Sequence, residues 1–415
     1  MAREVRVNSR RRIFPVRGTG EPAESATVWR LCFALVLLGV SLFAGCVSWF
    51  APPPGIGRQV AFSDLPGWTR APQAAVWPAL LKSCDKLAPP ATPGRVSKAD
   101  PAWDSLCRDA RTLAAPDDTQ VRTFFETHFS AHRVNGNGTR DGLITGYYEP
   151  VLNGSFTRSE RYRYPLYRRP DDLVTVDLAS LYPELKGKPL RGRLQGNRLV
   201  PYFSRAEIGD DKNPLAGNEL LWVDDPVEAF LLQVQGSGRV RLPDGSQVAI
   251  GYADQNGYPY RSLGARLIEL GAMKREDVTL TSVRDWLAAH PEETESLLNS
   301  NPSYIFFALR DANLDGPLGS LGVALTPERS VAVDPAFIPL GVPVWLDTTY
   351  PDGRTVQRLT MAQDTGGAIK GAVRADLFLG QGSDAGRLAG EMKQVGRLYV
   401  LLPKPPQPLT AISQH

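Results

Sequence analysis

Residues 361–380 read MAQDTGGAIKGAVRADLFLG. Two apolar runs each carry an aspartate, Asp364 and Asp376, and a glycine-rich segment at 366–371 lies between them. A third aspartate, Asp334, closes the run Val331-Ala332-Val333. Short runs of β-branched and aromatic residues broken by Gly and Pro are strand signals. From 303 to 402 they recur as YIFFAL, SVAVD, VPVWLD, RLTMAQD and RLYVLLP, with one short helix near 384–392. Short strands at this spacing predict a closed β-barrel. One Asp at the end of an apolar run is ordinarily a turn cap or a buried hydrogen-bonded group. Three in one small region, beside glycines that let a ligand approach, make these the carboxylates to weigh for chemistry.

Working outward, residues 262–299 read as a helical pair. Ser262 is its cap, Leu263, Leu267, Ile268 and Leu270 form a buried stripe, and Trp286 and Leu287 fall in the next helix. The pair separates two β-rich regions. Residues 74–133 also read as helical, with Asp117 or Asp118 capping a helix that places Val121, Phe124, Phe125 and Phe129 on one face. His128 and His132 fall in the same predicted helix at a spacing that suits a metal pair, but no third His or Cys ligand is near, so packing or exposure is the better reading. Asn135-Gly136-Asn137-Gly138 ends the helical part, and strands follow from Leu143. About 370 residues follow the N-terminal leader, more than one core comfortably holds, so two domains are expected.

The leader is an arginine-rich start followed by the apolar run LCFALVLLGVSLFAG, which stops at Cys46. That run is shorter than the roughly 20 residues a spanning helix needs, which favours a cleaved secretory signal over an uncleaved anchor. Leu42-Phe43-Ala44-Gly45-Cys46 resembles a bacterial lipoprotein box, which implies that Cys46 carries lipid; Val47 after it favours the outer membrane. Residues 47–73 are rich in Pro, Gly and Ala and read as a tether. The net charge of +3 comes from the leader, where seven arginines face three glutamates, leaving the rest near −1. The absence of a basic run beyond residue 45 argues against nucleic-acid binding. Cys84 and Cys107 remain in an oxidising compartment, either as a disulfide or as two buried thiols.

Four histidines, at 128, 132, 290 and 415, leave zinc hydrolysis and a Ser-His-Asp triad poorly supported. The segment GGAIKG lacks the Gly-Lys-Ser/Thr ending of a phosphate loop. Carboxylate chemistry remains, with no metal or organic cofactor required.

Asp334, Asp364 and Asp376 with GGAIKG resemble the three-aspartate (3D) barrel of the membrane-bound lytic murein transglycosylase A (MltA) family. Further blocks resemble that family in the same order: Gly146-Tyr147-Tyr148-Glu149-Pro150, Tyr202-Phe203-Ser204-Arg205-Ala206-Glu207-Ile208, Val234-Gln235-Gly236-Ser237-Gly238, Tyr252-Ala253-Asp254-Gln255-Asn256-Gly257 and Asn301-Pro302-Ser303-Tyr304. The resemblance implies a mainly β protein with N-terminal helices. A double-psi β-barrel of the barwin and endoglucanase kind would hold a second β-rich domain inserted into it, with a glycan groove between the two. The implied division is a signal peptide at 1–45, a lipidated cysteine and flexible tether at 46–73, and an N-terminal helical part of the barrel domain at 74–145. The inserted domain follows at 146–300, the catalytic barrel at 301–403 and a tail at 404–415.

By position, Asp376 matches the family's catalytic acid, and Ala375 stands where the family often has an aromatic. Asp364 and Asp334 match the other two aspartates, as supporting or structural groups. The implied activity is cleavage of the MurNAc–GlcNAc bond of peptidoglycan with 1,6-anhydro ends. Tyr147 and Tyr148 offer aromatic faces to sugars, and Gln233, Gln235, Gly236, Ser237 and Lys370 are expected in Gly-flanked turns against the glycan. Expected partners are glycan strands, outer-membrane lipid through Cys46 and wall-synthesis complexes. Two alternatives stay open: an inverting hydrolase using Asp364 and Asp376 as acid and base, and a noncatalytic wall-binding module.

Overall fold

The computed structural model describes residues 52–88, 101–185, 190–311 and 313–405. The expected signal peptide and Cys46 lie outside them, as does the tail beyond residue 405.

The N-terminal part supplies strand β1 (Gly55–Val60), helices α1 (Trp77–Leu87), α2 (Pro101–Thr112) and α3 (Asp118–His128), and strands β2 (Phe129–Asn135) and β3 (Gly142–Glu149). Asp117 caps α3 by accepting from the Thr119 and Gln120 backbone, and Gln120 returns the bond. Two expectations are corrected here. The tether does not run to residue 73, because β1 pairs with β2 from Gly55 onward and Leu65 and Trp68 are buried in the core. The helix does not run to residue 133. It stops at His128, and Phe129 turns extended so that the next residues pair with the last strand of the chain. Phe125 and Phe129 stack at 5.2 Å, a contact whose sequence spacing reads equally as one helical face. His132 therefore stands on a strand, with a ring nitrogen 3.2 Å from the Gly57 carbonyl, and is not on a helix with His128.

The middle of the chain builds β4 (Val151–Ser155), β5 (Tyr164–Tyr167), β6 (Val174–Val176), β7 (Leu190–Gln195), β8 (Arg198–Val200), β9 (Glu219–Val223), β10 (Ser237–Arg241), β11 (Gln247–Gln255) and β12 (Ile305–Arg310). Among them lie α4 (Arg205–Gly209), α5 (Pro226–Gln235), α6 (Leu263–Glu269), α7 (Leu280–Ala289) and α8 (Thr294–Asn299). Six of the strands form one sheet in the order β12-β11-β10-β4-β9-β5, and β6-β7-β8 form a small second one. Ser262 caps α6 as the sequence predicts, and Leu263 and Leu267 are buried with Leu287 and Leu297 in a separate helical core.

The rest adds β13 (Ser330–Val333), β14 (Pro343–Thr349), β15 (Thr355–Asp364), β16 (Arg374–Gln381), α9 (Gly382–Glu391) and β17 (Lys393–Pro403). The order β17-β14-β15-β13-β16-β3 closes on itself, because β3 pairs with β16 on one edge and with the start of β17 on the other. This is a closed six-stranded barrel, extended at the far end of β17 by β2 and β1. Its core holds Val344, Trp345, Leu359 and Met361, and Trp68 meets Trp345 edge-on at 5.0 Å. Strand β3 belongs to the barrel and β12 to the other sheet, so the inserted part occupies about 151–310 instead of 146–300. Cys84 and Cys107 form a disulfide that joins α1 to α2.

Candidate active site

Three neighbouring barrel strands carry the candidate carboxylates. On β13, Ala332 pairs with Asp364 of β15 on one side and Asp376 of β16 on the other. The two aspartates thus stand at one level on strands two apart, about 10 Å between backbones. The strand beyond Asp376 is β3, with Thr145 as the register partner. Alternation along β3 then puts Thr145 and Tyr147 on the carboxylate face and Gly146 and Tyr148 on the other.

The Thr145 hydroxyl donates to Asp376 Oδ1 at 2.6 Å. Burial pushes the Asp376 carboxyl up to about 6, opposed by the Thr145 bond and the Arg374 charge and reinforced by Asp364. A carboxyl so placed holds its proton in mildly acidic solution and can release it, which is the property a general acid needs.

Asp364 differs from it in kind. Its Oδ1 accepts from the Ser320 backbone at 2.9 Å, the Ser320 hydroxyl at 3.0 Å and the Thr365 backbone at 2.9 Å, and its Oδ2 accepts from the Tyr147 hydroxyl at 2.9 Å. Three of these donors converge on Oδ1 and one meets Oδ2, so Oδ2 keeps an acceptor site beyond the Tyr147 bond. Burial still raises its pKa, although every one of these bonds lowers it. The Tyr147 phenol is pushed up strongly by burial and by Asp364, so it stays a donor. Asp334 accepts from the Gly371 backbone at 2.8 Å and the Ala336 backbone at 3.2 Å, which ties the glycine-rich loop to the end of β13.

The end of β15 opens on a cleft of about 780 Å³ whose walls include Glu149, Gln235, Ser237, Ser320, Asp364 and Lys370, while Asp376, Thr145 and Tyr147 lie behind that wall. At its floor Glu149 of β3 and Arg239 of β10 form an ion pair at 3.2 Å that joins the two sheets, and Arg239 also donates to the Leu314 carbonyl. Burial raises the Glu149 pKa against the pull of Arg239.

The other expected residues divide. Gln233 and Gln235 are on the last turn of α5 and not in a turn; Gly236, at φ 80°, ends that helix, and Ser237 starts β10. A left-handed terminator is where glycine is needed. Gln233 is buried and accepts from Arg205, while Gln235 accepts from the Tyr148 backbone at 3.2 Å. Lys370 is exposed on the cleft wall. Tyr148 does not offer a face to the cleft. Its ring packs against Gly386 of α9, and its hydroxyl accepts from Arg284 at 3.0 Å, because β3 alternates and Tyr147 takes the inward position. Tyr147 itself packs beside Phe378 with ring centroids 5.3 Å apart. Thr145, Ser320 and Arg239 were not singled out from the sequence. The hydroxyls stand outside the quoted blocks, and only the strand register brings them to the carboxylates.

Two family models match the chain, the MltA specific insert domain over residues 143–308 and the 3D domain over 329–402. Membrane-bound lytic murein transglycosylase A of Escherichia coli (strain K12) is 36% identical over 274 residues, covering 63% of this chain and 66% of that protein, just under two thirds of its length. The crystal structure of MltA from Neisseria gonorrhoeae in its monoclinic form aligns with a TM-score of 0.71 at 35% identity, over 86% of this chain and 98% of that one. The structure of E. coli MltA with bound chitohexaose aligns with a TM-score of 0.61 at 26% identity, over 86% and 96%. With both family models matched and an alignment at 35% identity over nearly the whole length of the gonococcal relative, the chain belongs to the membrane-bound lytic murein transglycosylase A family.

Proposed function

We propose that the protein is a lytic transglycosylase that cleaves the MurNAc–GlcNAc β-1,4 bond of peptidoglycan with Asp376 as its one acid and base. The observation that carries this is the contrast between the two inner carboxylates: Asp376 takes one hydroxyl bond and is pushed up to about 6, while Asp364 is held by four donors, each of which favours its charged form. Asp376 gives its proton to the bridging oxygen as the C1–O4 bond breaks. The resulting carboxylate takes the proton of the MurNAc C6 hydroxyl as O6 bonds to C1, leaving a 1,6-anhydro end and a reprotonated acid. Tyr147, Ser320 and Thr365 hold Asp364, whose charge raises the Asp376 pKa.

An inverting hydrolase needs a second carboxylate with a lone pair free for water. Asp364 Oδ2 accepts only from Tyr147, so the products of digestion are what separate that reading from the one-acid mechanism. A glycan strand is the proposed ligand of the cleft, in line with the chitohexaose bound by the E. coli relative. Lipid attachment at Cys46, a place at the periplasmic face of the outer membrane, and contact with wall-synthesis complexes complete the proposal. Among the described residues no helix is long and apolar enough to cross a membrane.

Mass spectrometry of purified peptidoglycan after digestion tests the reaction. Anhydro-muropeptides are expected from the parent, with the rate lower by at least about a hundredfold in Asp376→Asn. Reducing-end products would overturn the one-acid mechanism, and wall release that is equal in parent and variant would point to a binding module.

A further inference from the structure

The loop between β12 and β13 has two faces. On one, Ser320 bonds to Asp364 at the cleft. On the other is a second cavity of about 340 Å³, walled by Lys82, Asp85 and Lys86 of α1 and by the loop, and Leu314, Leu318 and Gly322 line both cavities. Ser320 and Gly322 are two residues apart, so the backbone positions that face the two cavities are at most about 7 Å apart.

The charges of the second cavity are unevenly satisfied. Asp85 is engaged by Arg111 at 3.2 Å. Lys82 donates to Thr326 at 3.3 Å and lies 3.9 Å from Asp315, whose side chain is 85% exposed and contributes little. Lys86, one helical turn from Lys82 and so on the same face, is exposed and makes no ion pair among the described residues. Its Nζ lies 3.4 Å from where a Cβ on Gly322 would stand, and Gly322 has φ 78°, a conformation that lets bare backbone pass the ammonium. Leu318, Val323 and Ala324 add apolar wall.

We propose that this cavity binds the acidic stem peptide of the glycan strand, with Lys86 and Lys82 taking peptide carboxylates. The inference rests on peptidoglycan being the substrate. The peptide hangs from the lactyl group of MurNAc, the sugar that must lie at the carboxylates when its C1–O4 bond is cut. Three extended residues span about 10 Å, enough to cross the Ser320–Gly322 loop. A short chain bearing carboxylates and methyl side chains matches a small pocket beside apolar wall in which Asp85 is taken up by Arg111, Lys82 meets only the exposed Asp315 and Lys86 is left to meet a carboxylate. The glycan thus lies in the large cleft and its peptide turns over the loop into the small one.

Steady-state kinetics of the purified protein on two substrates, glycan strands with their stem peptides and the same strands stripped of peptide by an amidase, test this. Lys86→Glu is expected to raise the ratio of KM on peptide-bearing strands to KM on stripped strands by about tenfold. Lys86→Arg should restore most of the parent ratio. An unchanged ratio in Lys86→Glu, whether both KM values move together or neither moves, overturns the peptide site while leaving the glycan reading intact. A parent protein that cuts neither substrate defeats the glycan reading first, and the peptide site with it.

Discussion

Asp376 is held where its charge is costly. Its folded pKa of about 6 is above the ordinary carboxylate value, so the protonated form favours the folded state. That contribution is complete below about pH 4 and is lost as pH rises through about 6. Asp376→Asn is therefore expected to match the parent near pH 4 and to be more stable at pH 7. The gain should be on the order of 1–2 kcal/mol, since the side chain keeps partial contact with solvent. Urea unfolding at the two pH values checks it; an Asn variant less stable than the parent at pH 7 would mean that the carboxylate is not desolvated. Activity and stability then move in opposite directions at one position, as expected where a site is arranged for proton transfer.

At the level of elements, α1 braces the strand that carries Asp364. Gln363 donates from its amide to the Ala79 carbonyl at 2.7 Å and the Ser83 hydroxyl at 2.9 Å, and accepts from the Ser330 hydroxyl at 2.6 Å, all of it buried. The next residue of the helix, Cys84, is bonded to Cys107. Cys84→Ala/Cys107→Ala is expected to lower stability by about 2–4 kcal/mol, and reductant should lower the Tm of the parent toward that of the variant. A Tm that does not respond to either change would remove the disulfide from the brace. Much of this level is legible in sequence. The caps at Asp117 and Ser262 announce their helices, and four of the five C-terminal apolar runs become barrel strands, while YIFFAL becomes β12 of the insert sheet. What escapes is the result of pairing. Residues 129–135 follow a helix with compatible spacing, and it takes β1 on one side and β17, more than two hundred residues on, on the other to draw them into a sheet. The inward choice between Tyr147 and Tyr148 likewise depends on β16, and Ser320 comes from a loop with no period to read.

Across the whole molecule, the Glu149–Arg239 pair is a buried ionic joint between barrel and insert. Arg239→Ala leaves Glu149 buried without its cation, at an expected cost of up to about 3–5 kcal/mol. Adding Glu149→Gln to that variant should recover part of the loss, measured by urea titration; no recovery would mean that Arg239 matters through Leu314 and not through Glu149. Barrel closure also has a temporal side. The last strand, β17, pairs with β2 through Leu401–Ala131, with β3 through Lys393–Thr145 and with β14 through Trp345–Tyr399. A chain that emerges from its N-terminus must therefore carry β2 and β3 with open edges while the whole insert is made. The insert, whose strand partners all lie within 151–310, can fold first. Long-range pairing of this kind is slow and leaves sticky edges waiting. The barrel is therefore the late and vulnerable step, the one for which a newly made chain would need a chaperone.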